Sequence, residues 1–215
     1  MGLVFGNKVH GNQGSSSTLA VTLSYSAGSV IICDVAPNSG PIISVVSTAL
    51  GSFTFYATSG GGQPIERWVL KPGSSQTSDT ITMTQSATNF ITADVYEWKG
   101  VDLTSTFDAG GPVTNGGLPS DPSSITTVNA NTAVIACFRQ NSTASPTAGS
   151  GFTLIGGANF MLSEYQILAA TQTLSCTETT GAGDSHGSIV DALVAAASAV
   201  TPYDPWPQWA PLLSQ

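Results

Sequence analysis

The chain has 215 residues, 13 acidic against 5 basic, for a formal net charge of −8; only 8% of its residues are charged and 41% are hydrophobic. Five cations cannot neutralise a run of phosphates, which argues against nucleic acid and against an anionic membrane surface as partners. A charge-poor, apolar composition also excludes a disordered chain, so the polar surface must be made of hydroxyls and amides.

Taken in order, residues 1–14 read as an N-terminal arm or edge strand. Leu3-Val4-Phe5 is strand-like, and the chain then loosens into Gly11-Asn-Gln-Gly-Ser-Ser-Ser, with His10 on the loose part. No basic segment followed by an apolar core opens the chain, so no leader peptide is expected. Thr18 to Tyr25 alternates, placing Leu19, Val21, Leu23 and Tyr25 on one face of a strand. Ala27-Gly28 is a turn, and Val30 to Val35 is an apolar run suited to a buried strand. Pro37 to Pro41 is a loop, Ile42 to Val46 and Ser52 to Thr58 are strands, and Gly60-Gly-Gly is a flexible tip. Ile65 to Leu70, carrying Trp68, closes at Lys71-Pro-Gly.

Two adjacent strands are expected between Asp79 and Asp108. The first has Ile81 and Met83 on one face and Thr80, Thr82 and Thr84 on the other. The second has Ile91, Ala93 and Val95 on one side and Phe90, Thr92, Asp94, Tyr96 and Trp98 on the other. Apolar groups on both faces place it mid-sheet. Thr104 to Pro122 is rich in turn residues and reads as a long loop. Strands resume at Ser124 to Val128, Ala133 to Phe138, Phe152 to Ile155, Phe160 to Leu168, Thr171 to Thr177 and Ser188 to Leu193. Only at Ala192 to Ala199 does a short helix compete.

The two halves echo each other. Val30-Ile-Ile-Cys33 matches Val134-Ile-Ala-Cys137, Ser52-Phe-Thr matches Gly151-Phe-Thr, and Ile81-Thr-Met-Thr matches Leu174-Ser-Cys-Thr. Ile91-Thr-Ala-Asp-Val matches Ser188-Ile-Val-Asp-Ala. Two such halves, neither able to cover its own apolar face, are expected to pack face to face. The fold class is therefore all-β: a two-sheet antiparallel β-sandwich of jelly-roll type with an internal pseudo-repeat, over residues 15–200.

Several segments look familiar together: Ala27-Gly-Ser-Val-Ile-Ile, Val95-Tyr-Glu-Trp-Lys-Gly-Val-Asp, Ser105-Thr-Phe-Asp, Thr132-Ala-Val-Ile-Ala, Ala148-Gly-Ser-Gly-Phe-Thr-Leu and the Thr-rich penultimate strand. From about Ser15 to Ala197 the chain resembles jelly-roll or concanavalin-like β-sandwich domains of phage virion proteins and bacterial surface or secreted proteins. The resemblance implies a structural or adhesive module: a capsid decoration or a fibre or tail component of a virion, assembled in the host cytoplasm. Its partners would be other virion proteins, such as a major capsid or tail subunit, with homo-oligomers, trimers especially, suited to display. The rival is an extracellular carbohydrate-binding or adhesin module. Relatives of this look often carry a tryptophan where this chain has Phe53 and Phe55, which departs from a sugar-stacking pattern.

Candidate chemistry is sparse. Cys33, Cys137 and Cys176 have neither disulfide-framework nor zinc spacing and read as small buried hydrophobes. Gly183-Asp-Ser-His-Gly, with His186, is a hairpin turn, because adjacent residues in a turn point apart and form no triad. Asp94 and Glu97 lie on opposite faces of one strand and cannot share a glycosidase cleft. Glu97 is expected to be satisfied by a neighbouring strand or turn. Asp102 and Asp108 flank a loop that calcium could use, without a closer acidic cluster. Tyr56, Trp68, Tyr96, Trp98 and Tyr165 form either a sugar platform or sandwich core, with Trp68 and Trp98 the candidates for glycan stacking. The tail from Thr201 has four prolines and two tryptophans. It should run extended and dock through Tyr203, Trp206, Trp209, Leu212 and Leu213, on its own sandwich or on a neighbouring subunit. No enzyme activity, cofactor or metal is expected.

Overall fold

The computed structural model describes residues 2–61, 64–116, 123–140, 147–158, 160–177 and 185–197, apart from the side chains of Gln140, Ser185 and His186. No described residue is helical. The first half holds β1 (Val4–Tyr25), β2 (Val30–Pro37), β3 (Ile42–Ser47), β4 (Gly51–Ser52), β5 (Thr54–Thr58), β6 (Glu66–Leu70) and β7 (Gln76–Lys99). The second holds β8 (Val113–Asn115), β9 (Ser123–Thr126), β10 (Thr132–Gln140), β11 (Thr153–Ala158), β12 (Met161–Leu168), β13 (Thr173–Cys176) and β14 (Ser185–Val194). All the pairings are antiparallel.

β7 is the organiser. The two strands expected between Asp79 and Asp108 are one strand of 24 residues, without the break that Ser86-Ala-Thr-Asn suggests. β1 pairs along its length, from Val4 opposite Lys99 to Tyr25 opposite Gln76. On its other side β7 takes two partners in succession, β3 beside its first half and β2 beside its second. β1 follows through register shifts at Gln13/Ser16 and Ser16/Thr18, with Ser15 at a positive φ of 50°. Bulges of this kind sharpen local twist and turn a strand. The loose-looking Gly11 to Ser17 stretch is therefore bulged strand. Residues 4–13 pair with β7 as part of β1.

The first sheet gathers Leu19, Val21, Leu23, Ile31, Val35, Ile81, Met83 and Val95 into one core. The opposite face of β2 and β7, with Val30, Ile32, Tyr96 and Trp98, packs on Ala133, Ile135 and Leu193 of the second half. There β11, β12, β10, β14 and β8 form one sheet in that order. Its far face, with Val134, Phe138 and Val190, is covered by Ile125 and Leu174 of the small β9–β13 sheet. The all-β sandwich follows from these alternations, since a period-two strand with two apolar faces needs cover on both. Neighbour order is shared by the two large sheets: β7-β2-β6-β5 in one, β14-β10-β12-β11 in the other.

Loop 101–116 is tied down at both ends of its excursion. Val101 bridges Ala195, Phe107 bridges Leu193, and Val113 to Asn115 pairs with β14. The helix that could compete with strand over Ala192 to Ala199 does not form in its described part, where β14 continues to Val194 and Ala195 forms a bridge.

Candidate functional site

Both arginines of the chain lie between the two large sheets. Arg67 on β6 is fully buried and grips Asp34 on β2 with two bonds, Nε to Oδ1 at 2.6 Å and Nη2 to Oδ2 at 2.9 Å. Tyr96 donates its hydroxyl to the same Asp34 Oδ2 at 2.6 Å. Strand register explains the meeting, because Asp34 lies opposite Arg67 on one side and opposite Asp94 on the other. Burial pushes the Tyr96 hydroxyl well above its ordinary range, with the Asp34 charge adding to it. Burial would lower Arg67, but Asp34 outweighs it and the guanidinium stays charged. Arg139 on β10 reaches back across the interface to Pro37 O at 3.2 Å and Asn38 Oδ1 at 2.9 Å, and burial pulls it down to about 10.

Asp94 is a second node. Its Oδ1 meets His10 Nδ1 at 2.8 Å and its Oδ2 accepts the Ser163 hydroxyl at 2.7 Å. Serine, acid and histidine thus meet, but the carboxylate sits in the middle. A nucleophile relay needs the imidazole between acid and hydroxyl, so this arrangement does not activate Ser163. Asp191 on β14 is the third node. Burial lifts it to about 6, against the pull of Arg67, Tyr56 and the Ala192 N–H. Glycines stand where these carboxylates need room: a Cβ on Gly156 would lie 2.0 Å from Asp94 Oδ1, and one on Gly111 2.3 Å from Asp191 Oδ1. Asp94–Ser163, Arg139–Pro37 and Arg139–Asn38 bonds link the two halves of the chain.

Three further acids are held by their bonds. Glu97 accepts Ser26 N at 2.7 Å and lies 3.5 Å from Lys99 Nζ, the neighbouring-turn role expected of it. Asp102 caps its own turn through Thr104 N and Ser105 N. Burial works against Asp108, but bonds from the N–H groups of Val128, Gly110 and Asn129 and from the Asn129 side chain hold it below the usual carboxylate range. No cluster of three metal-ligating side chains occurs among the described residues. The three cysteines are free and buried.

The aromatics divide. Trp98 has no exposed surface and is wedged edge-on between Phe5 and Tyr165, at ring separations of 5.2 and 5.1 Å. A ring enclosed in this way offers no face to a sugar, so Trp98 is core. Tyr96, also fully buried, and Tyr165 belong with it. Trp68 differs: it is half-buried on the face of β6 that packs against the first core, its indole N–H held by Glu66 Oε2 at 3.2 Å and its ring edge-on to Phe55 at 5.3 Å. Phe55 is 47% exposed on β5, the end strand of its sheet. Burial raises the Glu66 carboxyl, partly offset by the Ile42 N–H and the Trp68 indole.

Phe55 is a ridge between two clefts. One, about 370 Å³, is walled by Trp68, Pro41, Pro64 and Glu66. The other, about 580 Å³, lies between β5, β6 and loop 102–107, with Leu70, Lys71 and Thr106 at its sides. Tyr56 and Phe107 stack beneath it, 4.1 Å apart and 20° from parallel. The sequence singles out Trp68 for stacking; Phe55 and Phe107 enter it only as a departure from the resembled pattern and as part of Ser105-Thr-Phe-Asp, and the fold brings them to one cleft. Tyr203, Trp206, Trp209, Leu212 and Leu213 lie outside the described residues, as does the side chain of His186. No protein-family model, curated protein or solved structure matches the chain.

Proposed function

We propose that the protein is a non-enzymatic structural protein of a virion, a capsid decoration or a fibre or tail component, that works by docking on other virion subunits. The sandwich would be of jelly-roll type with a duplicated plan, an idea the shared neighbour order of the two large sheets supports. One observation carries the reading. Asp34, Asp94 and Asp108, with His10 and Arg67, are tied into carboxylate nodes and turn caps, while Phe55, 47% exposed, lies beside the half-buried Trp68, Leu70 and Phe107 along the β5 edge. A firm body with a sticky edge is the design of a docking module. Homo-oligomers, trimers among them, fit that role, as does assembly in a host cytoplasm. The test is native particles of the source material probed with antibody to this chain. The protein should co-sediment with a major shell or tail protein, and Phe55→Asp should release it. A protein that never sediments with particles ends the reading.

A second reading has its own observation. The Trp68 ring, fixed by Glu66 beside an open cleft, is the kind of pre-set aromatic face on which a pyranose stacks. On this reading the protein is an extracellular carbohydrate-binding or adhesin module. Glycan-array binding lost on Trp68→Ala favours it; Trp98→Ala, by contrast, should unfold the interface rather than report on a ligand.

A further inference from the structure

The larger cleft is an apolar trough with a stacked aromatic floor, and the described chain ends beside it. Val194, the last residue of β14, donates its N–H to Thr106 O at 3.0 Å, and Thr106 lines the cleft. Phe107, in the floor, bridges Leu193. The described chain stops at Ala197, three residues beyond Val194, after Ala196 N bonds Gly100 O at 2.8 Å. Three residues span at most about 10 Å, so the chain leaves the described body close to the cleft mouth.

The C-terminal stretch beyond that point has the matching chemistry. Residues 198–215 contain Thr201-Pro-Tyr-Asp-Pro-Trp-Pro-Gln-Trp-Ala-Pro-Leu-Leu. Proline-rich, aromatic chain of this composition favours the extended polyproline geometry and fits aromatic-lined grooves with little ordering cost. At about 3.1 Å per residue, Trp206, nine residues past Ala197, reaches roughly 28 Å, well beyond the distance to the cleft. The segment has a single charged side chain, Asp204. Among the described residues lining the cleft, the charged one is Lys71, whose amine bonds Leu103 O at 2.8 Å and also faces Asp102. Acid in the segment and base at the rim are complementary.

We infer that the segment 201–213 of this chain docks in cis into the cleft between β5, β6 and loop 102–107, seating Trp206 or Trp209 over the Tyr56–Phe107 stack. The inference goes beyond the proposed assembly role and does not depend on it. Where assembly uses the same segment, docking on a neighbour requires its release first.

The experiment uses the full chain with a photoreactive benzoylphenylalanine in place of Trp206, mixed in equal parts with heavy-isotope-labelled protein, irradiated and mapped by mass spectrometry. Cross-links should fall on residues 54–56, 69–71 or 106–107, within chains of single isotope composition. Their yield should not change on about tenfold dilution, because a tethered segment docks at a fixed effective concentration. Cross-links between light and heavy chains mean that a second copy supplies the segment, and overturn docking in cis. Cross-links elsewhere, or none, overturn the cleft. Thr54→Glu, an exposed change at the rim, should cut the yield about tenfold, the equivalent of about 1.4 kcal/mol; an unchanged yield refutes the site as well.

Discussion

Neutralising one member of the Asp34–Arg67 pair should cost far more than neutralising both. Both side chains are fully buried, and the guanidinium makes two of its bonds to that carboxylate, at 2.6 and 2.9 Å. Asp34→Asn leaves the Tyr96 bond an acceptor but strands a buried cation. Arg67→Met strands a buried anion and also strips Asp191 of its nearest positive charge. Breaking a buried pair from one side costs about 3–5 kcal/mol. For a chain of this size each kcal/mol moves the melting temperature by about 2–4 °C, so each single change should lower it by about 6–20 °C. The double variant leaves no lone charge at this node and should lose only about 1–2 kcal/mol, less than either single change. Urea titration followed by circular dichroism measures all four corners of the cycle. Single losses that add in the double to within about 0.5 kcal/mol would refute the pairing, because independent sites add.

Further expectations concern the same interior. Burial raises the folded pKa of Asp191 from 3.8 to about 6, so the native protein holds a proton there that the unfolded chain has released. Stability should therefore fall as pH rises from about 4 to about 6 and level off above, by up to about 3 kcal/mol; Asp191→Asn should flatten that limb, and a limb that survives unchanged rules the group out. Asp108 works in the opposite sense: its folded pKa is lowered, so its contribution is present above the unfolded value and is lost as pH falls through the folded one. Asp108→Asn should blunt acid unfolding at the lowest pH, which the same pH series reads. Gly156→Ala puts a methyl 2.0 Å from Asp94 Oδ1 and should cost about 1–3 kcal/mol in urea. Gly14→Ala, with nothing within 4 Å, should stay within about 0.5 kcal/mol of the parent. Cys33, Cys137 and Cys176 should react with a thiol reagent only as fast as the chain opens, so native labelling faster than unfolding contradicts their burial.

How much of this was legible in the sequence depends on whether the signal is local. The faces of β7 could be assigned from period two alone: Ile91, Ala93 and Val95 do turn to one core and Tyr96 and Trp98 to another. The same period could not say what covers the second face. Trp98 therefore read as core with a sugar platform still open, until the second half of the chain lay over it. The Gly11 to Ser17 stretch failed for a different reason. Small polar residues have no strand propensity of their own, and only pairing with β7 makes them strand. That also hid His10, whose partner Asp94 is 84 residues away. Asp34 did leave a trace, as the one charge inside an apolar run. Its partner Arg67, 33 residues on, is found only by knowing that β2 and β6 are neighbours in register. The cleft is the extreme case. Phe55 and Phe107 lie in unrelated strings of letters, and loop 102–107 reaches β5 only because Val101 and Phe107 bridge the last strand. Alternation fixes which way a side chain points, while the long-range pairing of strands fixes what it meets. A site made where a tied-down loop crosses an edge strand belongs wholly to the second kind of information.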